Sequence, residues 1–449
     1  MIIFADFWNW LNLASLFSNW ESMMMILILE VPPYIFILGS AIWYQNKRNQ
    51  QLKKKSARDE TYFPKVSCVI TCYSEGDEAA ISVKTLIEQS YPGVIEIIPV
   101  VDGAIQNKKT YDALKKYEEE FAHHPNRSKR ILRVLPKWQR GGRVSSLNSG
   151  LEFVTGEIVF VCDADTLFDN DMVYNATRHF SDSHVAAVSG NLRVLNWNQS
   201  VWTRLQAIEY IFAIGMTRTG LSGMNAVNNI SGAFGVFRVS LLRSIGGWSS
   251  GSAEDLDLTL RIKQYFQRHK GMKIVFENRA IGHTEAPATL WQYLKQRERW
   301  DGDLAYIYFR KHWHAFDPKL VGWMNYIHML WMGLIHQVAL PFLIILFTSW
   351  TLATDPLLFL RLTCFFYIIY TAFVFVAHLI HIGLFSERPK MDWKLLPWCF
   401  LYFPFSYITR IWSAFAILSE LLIKAHLDSS MAPYWVLKQS TTALEKPKK

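Results

Sequence analysis

Cysteine is scarce in this chain and follows no pattern. Five residues, Cys68, Cys72, Cys162, Cys364 and Cys399, are spread over 449 positions. Their number is odd and no pair has metal-ligand spacing, so neither a disulfide framework nor a zinc site is expected. Cys68, Cys72 and Cys162 lie in or beside strand-like runs, as reduced, buried thiols of a cytoplasmic domain do. The first twenty residues lack both a charged n-region and a small-residue cleavage site, so a cleaved signal peptide is not expected. Asp6, Asn9, Asn12 and Asn19 interrupt that apolar stretch, which fits an interfacial helix or a poor first span. Acidic residues are outnumbered by basic ones, 38 to 47, for a formal net charge of +9. Such a balance points to nucleic acid, anionic lipid or an anionic substrate. The densest basic cluster, Lys47, Arg48, Lys53, Lys54, Lys55 and Arg58, directly follows an apolar stretch. Positive charge in that position marks the cytoplasmic flank of a membrane span, so lipid and topology are read here, and no nucleic acid.

Hydrophobic residues make up 51% of the chain, and they gather at its two ends. Residues 23–44 are long enough to span a bilayer. Glu30 and the pair Pro32-Pro33 lie inside that stretch, and a carboxylate at such depth calls for a face buried against protein. Residues 45–62 read as a charged linker. In the last third, 326–350, 357–385 and 395–423 are further spans, the last with Arg410 near its middle. The loop 348–356 has no Lys or Arg, whereas 386–394 has Arg388, Lys390 and Lys394. The first loop is therefore expected outside and the second inside. A single crossing by 395–423 puts Lys438, Lys446, Lys448 and Lys449 outside; a re-entrant or interfacial helix pair is the alternative. His328, His336, His378 and His381 fall in the spans without a ligand-like cluster, which suits helix packing or the lining of a polar path.

The middle of the chain has the mixed texture of a soluble domain. Residues 66–72, 94–101 and 131–135 are strand-like, and 79–89, 108–122 and 143–154 have helical spacing. Residues 158–162 form a continuous run of β-branched and aromatic side chains, as in a central strand buried on both faces. Alternating strands and helices indicate βαβ units and a parallel sheet. The second strand ends at Asp102-Gly103 and the central one at Asp163-Ala164-Asp165. Carboxylates at the carboxyl ends of parallel strands sit where open α/β sheets bind ligands. Two acids one residue apart repel each other unless a cation lies beside them, and a divalent cation carrying a diphosphate resolves that repulsion. The plain alternative is that Asp163 and Asp165 cap a strand and start a turn.

The order of motifs then carries a resemblance. Tyr73-Ser74-Glu75, Val100-Val101-Asp102-Gly103, Arg140-Gly141-Gly142-Arg143 and Leu147-Asn148-Ser149-Gly150-Leu151 precede Asp163-Ala164-Asp165. Ser231-Gly232-Ala233-Phe234, Ala253-Glu254-Asp255, Thr284-Glu285-Ala286-Pro287 and Gln296-Arg297-Glu298-Arg299-Trp300 follow it. Over roughly 66–300 the chain resembles the membrane-embedded, processive family 2 glycosyltransferases, the group of cellulose, hyaluronan, chitin and poly-N-acetylglucosamine synthases. Gln-x-x-Arg-Trp is the most discriminating of these motifs. The sequence departs from the group at Ser74, where Asn is usual, at Arg143, where Lys is usual, and at Ala253, where Thr is usual.

The resemblance implies a GT-A-type α/β fold, with a mixed, mostly parallel sheet and helices on both faces, plus transmembrane and interfacial helices at each end. It implies a nucleotide-sugar site of Tyr73, Glu75, Asp102, Arg143 and Asp163. It also implies Mg²⁺ or Mn²⁺ on Asp165 with Asp163, a general base at Asp255 beside Glu254, and acceptor and diphosphate contacts from Gln296, Arg299 and Trp300. Asp257 is a competing base, read instead as an exposed helix residue. His283 is a candidate third metal ligand or a structural histidine.

The expected units are 1–62, membrane segments and basic linker; 63–286, the transferase domain; 287–323, amphipathic interfacial helices; and 324–449, membrane helices and tail. The expected activity is inverting, metal-dependent, processive transfer from a UDP-sugar to a growing polysaccharide at the inner (plasma) membrane, from the cytoplasmic side. Ser189-Gly190-Asn191-Leu192-Arg193-Val194 and Leu205-Gln206-Ala207-Ile208-Glu209-Tyr210 favour UDP-N-acetylglucosamine over UDP-glucose. An accessory membrane or periplasmic export subunit is a candidate partner. Two other readings stay open: a transferase adding one sugar to a lipid acceptor, and a receptor or pore with a degenerate transferase domain.

Overall fold

The computed structural model describes residues 20–53, 61–250 and 253–424, with the side chains of 20–27 and 51–53 left aside. The expected interfacial segment at the start, the side chain of Lys53, the residues Lys54, Lys55 and Arg58 and the C-terminal lysines lie outside the described residues.

Helix α1 (Trp20–Lys53) covers the expected first span and continues through much of the expected linker. A tertiary contact accounts for the extension. Arg48 pairs with Glu277, which is buried and also accepts hydrogen bonds from His179 (2.7 Å) and Arg178 (3.3 Å).

The sheet follows the apolar runs. Strand β1 (Val66–Cys72) is buried except at Thr71, and β2 (Ile95–Asp102) at every position. They are separated by α2 (Glu78–Ile87). After α3 (Lys108–Phe121), the expected strand at 131–135 is two short ones, β3 (Arg130–Leu132) and β4 (Leu135–Lys137), both paired with β2. Helix α4 (Gly142–Glu152) then leads into β5 (Ile158–Asp163) and β6 (Leu167–Phe168). Gly150 lets α4 lie close on the sheet, because a Cβ there would meet Val69 Cγ1 at 2.5 Å.

Strand β7 (Val185–Val194) is followed by α5 (Val201–Tyr210), a π-helical turn (Ile211–Met216) and α6 (Thr217–Gly223) in one run. Next come β8 (Phe234–Arg238), α7 (Glu254–Lys263), β9 (Lys273–Thr284) and α8 (Leu290–Tyr306). The strand order is β3-β2-β1-β5-β8-β7-β9-β6. Strands β2, β1 and β5 are parallel, with Cys72 opposite Val101 and Thr71 opposite Asp163. Their carboxyl ends therefore share one edge. Pairings β5–β8, β8–β7 and β6–β9 are antiparallel, which makes the sheet mixed and mostly parallel, as expected.

Among the described residues three helical runs are long and apolar enough to cross a membrane: α9 (Trp323–Thr354), α10 (Pro356–Leu384) and α11 (Leu396–Ile423). The expected loop 348–356 shrinks to Asp355, which caps α10 by accepting from Leu357 N (3.1 Å) and Leu358 N (2.9 Å). Segment 395–423 forms no helix pair: α11 is continuous, with a 3-10 start. Glu30 meets the expectation of a buried face. It pairs with Arg410 at 2.6 Å, and Arg410 also contacts His336. His378 and His381 both bond to Asp392, at its carbonyl and carboxylate respectively, so they are packing residues. The α10–α11 loop is tied to the sheet domain through Arg193–Asp392 and Arg388–Asp169 (2.6 Å).

Candidate active site

The aligned ends of β1, β2 and β5 deliver Tyr73-Ser74-Glu75, Asp102 and Asp163-Ala164-Asp165 to one edge of the sheet. The chain leaves β1 with Glu75 accepting from the N–H groups of Tyr73 (2.8 Å) and Ser74 (3.1 Å). Burial, together with the Asp163 charge, raises the Glu75 carboxyl above its usual range despite those bonds. The Arg140 guanidinium lies 4.6 Å over the Tyr73 ring.

Asp102 is buried and its carboxylate is already engaged. Its Oδ1 accepts from Lys137 Nζ (2.7 Å) and Gly141 N (2.9 Å), and its Oδ2 accepts from Gly142 N (2.8 Å). Asp102 thus fixes the start of α4, where Gly142 has φ +77°, a conformation open to glycine and strained for other residues. Lys137 gave no signal in the sequence beyond its position before the Arg-Gly-Gly-Arg motif.

Arg143, in the first turn of α4, joins the donor side of the edge to α7. It pairs with Asp163 and, at 2.5 Å, with Glu254, while donating to Thr71 Oγ1 (3.0 Å) and the Gly232 carbonyl (2.7 Å). All but one of its N–H donors are used inside the chain. Arg143 thereby bridges two site carboxylates, one on β5 and one on α7.

Asp165 accepts from Thr166 Oγ1 at 3.3 Å and has no ion-pair partner among the described residues. Burial and the Asp163 and Glu75 charges push its carboxyl up to about 7. Asp163 and Asp165, one residue apart at the end of β5, offer carboxylate oxygens of the kind a hard cation takes. Among the described residues no group of three His, Cys, Asp or Glu converges as a metal centre, so Asp165 and Asp163 are the two carboxylates that would be left to hold a divalent cation here. His283 is not available as a third ligand, because it bonds to Asp169 at 3.0 Å; the structural reading holds.

Helix α7 begins with Ala253 at φ +49°, a left-handed conformation that costs a residue with a Cβ about 1 kcal/mol. The next two residues point into the site. Asp255 accepts from Asn229 Nδ2 (2.9 Å) and Gly232 N (3.1 Å) on Oδ2, and from Leu256 N (2.7 Å) on Oδ1. Burial raises the Glu254 carboxyl, with Arg143 opposing and Asp255 adding to the shift. Asp257 is a correction to the sequence reading. It is fully buried, not exposed, and accepts from Arg261 Nε (2.9 Å), Lys311 Nζ (2.8 Å), His312 Nε2 (2.8 Å) and Ser249 Oγ (3.2 Å). Burial alone would raise its carboxyl, but these bonds hold it well below the usual range. It is a structural hub, which removes it as a competing base.

Helix α8 carries Gln296, Arg299 and Trp300. Trp300 is 37% exposed, and Gln296 Oε1 is buried with no hydrogen-bond partner. No ion pair or hydrogen bond links these three to Asp163, Asp165 or Asp255 among the described residues. The connection runs through neighbours that the sequence reading passed over. Arg297 stacks on Trp300 (4.5 Å) and Tyr293 (5.0 Å) and pairs with Glu209 at 2.8 Å. Tyr210, next to Glu209, is buried and feels both Arg297 and Asp165. Beneath α8 is a cavity of about 160 Å³ whose lining includes Glu209, Arg297, Asp301, His336, Tyr402 and Arg410. It reaches from the α5–α8 contact to the Glu30–Arg410 pair of the apolar helices.

Comparison with known proteins agrees with this arrangement. The description glycosyltransferase like family 2 matches residues 64–302. A poly-beta-1,6-N-acetyl-D-glucosamine synthase of Staphylococcus epidermidis is 26% identical over 330 residues, which is 72% of this chain and 74% of that protein. One of Staphylococcus aureus (strain MSSA476) is 27% identical over 267 residues, 59% of this chain and 61% of that protein. A mannosyltransferase from Pyrobaculum calidifontis, in complex with GDP-Man and Mn2+, has a similar fold: TM-score 0.54 at 20% identity, covering 89% of this chain and 99% of that one. Motif order, the carboxylates on one sheet edge and a match over more than half its length together establish that this chain belongs to glycosyltransferase family 2 and is a glycosyltransferase.

Proposed function

We propose that this chain is an inverting, metal-dependent, processive β-glycosyltransferase that polymerises a UDP-sugar into an exopolysaccharide. UDP-N-acetylglucosamine is the favoured donor, in keeping with the names of the relatives and the two stretches singled out above. The observation that carries the reading is the pairing of two carboxylate groups across Arg143. Arg143 pairs with Asp163, beside Asp165, on the strand-end side and with Glu254, beside Asp255, on the α7 side.

The donor lies over the strand ends, with Tyr73, Glu75 and Asp102 on the nucleotide side and Arg143 holding Asp163 and Glu254 in place. Asp165 and Asp163 hold Mg²⁺ or Mn²⁺, which when bound supplies Lewis-acid stabilisation of charge on the leaving diphosphate. Asp255, fixed by Asn229 and the Gly232 amide, takes the proton of the acceptor hydroxyl as its oxygen bonds to the anomeric carbon. The bond from that carbon to the diphosphate oxygen breaks on the opposite face, so an α-linked donor gives a β-linked product. Trp300 offers an exposed ring to the acceptor sugar. Arg299 has no ion-pair partner among the described residues and suits the diphosphate.

The polymer leaves along the cavity between α8 and the apolar helices. Those helices are read as a multi-pass domain of the plasma membrane, with the transferase domain on the cytoplasmic side. Arg388, Lys390 and Lys394 between α10 and α11 support that side, and an export subunit beyond the membrane completes the reading.

The test is a donor screen on the full chain purified in detergent. Each UDP-sugar is supplied with Mg²⁺ or Mn²⁺, UDP release is followed, and product is sized. High-mass product from one donor is expected. UDP release with only short or lipid-linked product would replace processive synthesis with single-sugar addition.

A further inference from the structure

Three arginines among the described residues are buried: Arg130, Arg193 and Arg218. Arg130 donates to backbone carbonyls, among them those of Ile87 (3.2 Å), Gln89 (2.7 Å) and Tyr91 (2.9 Å). Arg193 pairs with Asp392. Arg218 differs. Its Nη1 donates to Ser189 Oγ at 3.0 Å, and among the described residues its Nε has no partner and no carboxylate lies within ion-pair distance of it. Holding a guanidinium out of water without a counter-ion is costly, and a chain that does so leaves hydrogen-bonding capacity for something else.

Its surroundings indicate what that is. Arg218 stands in the first turn of α6, directly after the π-helical turn Ile211–Met216. Such turns change which residues a helical run presents, and they recur at functional sites. Ser189, which holds Arg218, stands opposite Gly235 of β8. Gly232, three residues before Gly235, donates its N–H to Asp255 Oδ2 at 3.1 Å. Arg218 is therefore held on the side of the site where the proposed base lies, and the Asp255 charge acts on it. The Ser189 bond fixes the guanidinium at one end and leaves Nε–H free.

We propose that Arg218 is an acceptor-binding residue, whose buried and unpaired Nε–H takes an oxygen of the acceptor sugar (a hydroxyl or an acetamido carbonyl) beside Asp255. This rests on the reading of Asp255 as the base. A sugar oxygen is neutral, so binding it satisfies that donor while the charge stays balanced at longer range by Asp255. A diphosphate oxygen has related acceptor chemistry, and the experiment separates the two.

The test uses the full chain in detergent, with Arg218→Lys and Arg218→Met, a β-1,6-linked N-acetylglucosamine pentasaccharide as acceptor, and UDP as the donor-site probe. Both variants are expected to raise the acceptor KM by about tenfold or more, as befits a lost hydrogen bond from a charged donor. The UDP Kd should change less than about twofold. An unchanged acceptor KM in Arg218→Lys, which keeps the charge and the fold but not the guanidinium fork, would overturn the proposal. So would a UDP Kd that weakens in step with the acceptor KM, since that assigns Arg218 to the diphosphate. Asp255→Asn is run alongside. Transfer surviving in Asp255→Asn removes the base reading, whereas an acceptor KM unaffected by Arg218 removes only this assignment.

Discussion

Replacing Asp257 by Ala removes a carboxylate that four groups share. Asp257 and His312 are buried, so neither can turn to water. Lys311 is 26% exposed in its side chain and can reach solvent when its partner goes. Arg261 keeps its bonds to the carbonyls of Ile245 (3.0 Å) and Gly247 (2.7 Å). Breaking a buried ion pair costs about 3–5 kcal/mol, and these two escapes put the expected loss near the low end, about 3 kcal/mol. For a domain of about 240 residues, which is what the family match spans, that lowers the Tm by about 6–12 °C. The assay is thermal unfolding of the purified full chain followed by tryptophan fluorescence. Asp257→Asn, which keeps some hydrogen bonding, is expected to lose about half as much. A shift below about 2 °C for Asp257→Ala is what an exposed helix carboxylate gives, and it would refute the hub.

Three further outcomes follow from named contacts. Arg143→Met leaves Asp163 and Glu254 without their shared cation and is expected to cut UDP release by about 100-fold or more, as loss of a site-organising charge does; near-normal turnover would show that the bridge is dispensable. The Glu387 carboxyl, beside Asn278 Nδ2 at 2.9 Å, is pushed up to about 7 by burial, with Glu277 and Asp392 adding and Arg193 opposing. The folded chain then keeps a proton that the unfolded chain gives up above its ordinary value of 4.5. Glu387 keeps an exposed surface, so solvent screening reduces the effect; stability should fall slightly as pH rises from 4.5 to about 7, by less than about 1 kcal/mol, and Glu387→Gln should flatten that part of the Tm profile; an unchanged profile would contradict it. Glu30→Gln strands Arg410 among apolar helices, so it should destabilise more than the double variant Glu30→Gln/Arg410→Met predicts by addition, with a coupling of about 1–3 kcal/mol; strict additivity of the Tm shifts would show that the pair contributes nothing.

What the sequence made legible was what short-range pattern controls. The apolar run at 158–162 and the strand at 66–72 formed where expected, and both strand-end aspartates reached one edge because β2, β1 and β5 lie side by side. Glu30 announced a buried face because a carboxylate has few other places inside an apolar span. What stayed hidden depended on partners far along the chain. Asp257 looks solvent-facing until Lys311 and His312 arrive from beyond α8. The first part of the linker, up to Lys53, is helical, and Arg48 in it finds Glu277. The contacts of Asp102 with Lys137 and with the Gly141 and Gly142 amides, which fix the start of α4, are likewise not written in the local pattern. Charge count and periodicity carry no information about such pairings, whereas Arg297 and Glu209 sat inside stretches already singled out and gave at least a place to look.

The central claim is that transfer runs through Asp255 over a donor held at the strand ends. It is tested most directly by comparing wild type with Asp255→Asn in two assays on the same preparation: polymer formation from UDP-N-acetylglucosamine with Mn²⁺, and equilibrium binding of UDP with Mn²⁺. The account predicts that polymer formation is lost while UDP still binds within about twofold, since the amide cannot accept the proton but keeps the fold. Polymer formation at a comparable rate in Asp255→Asn would contradict it.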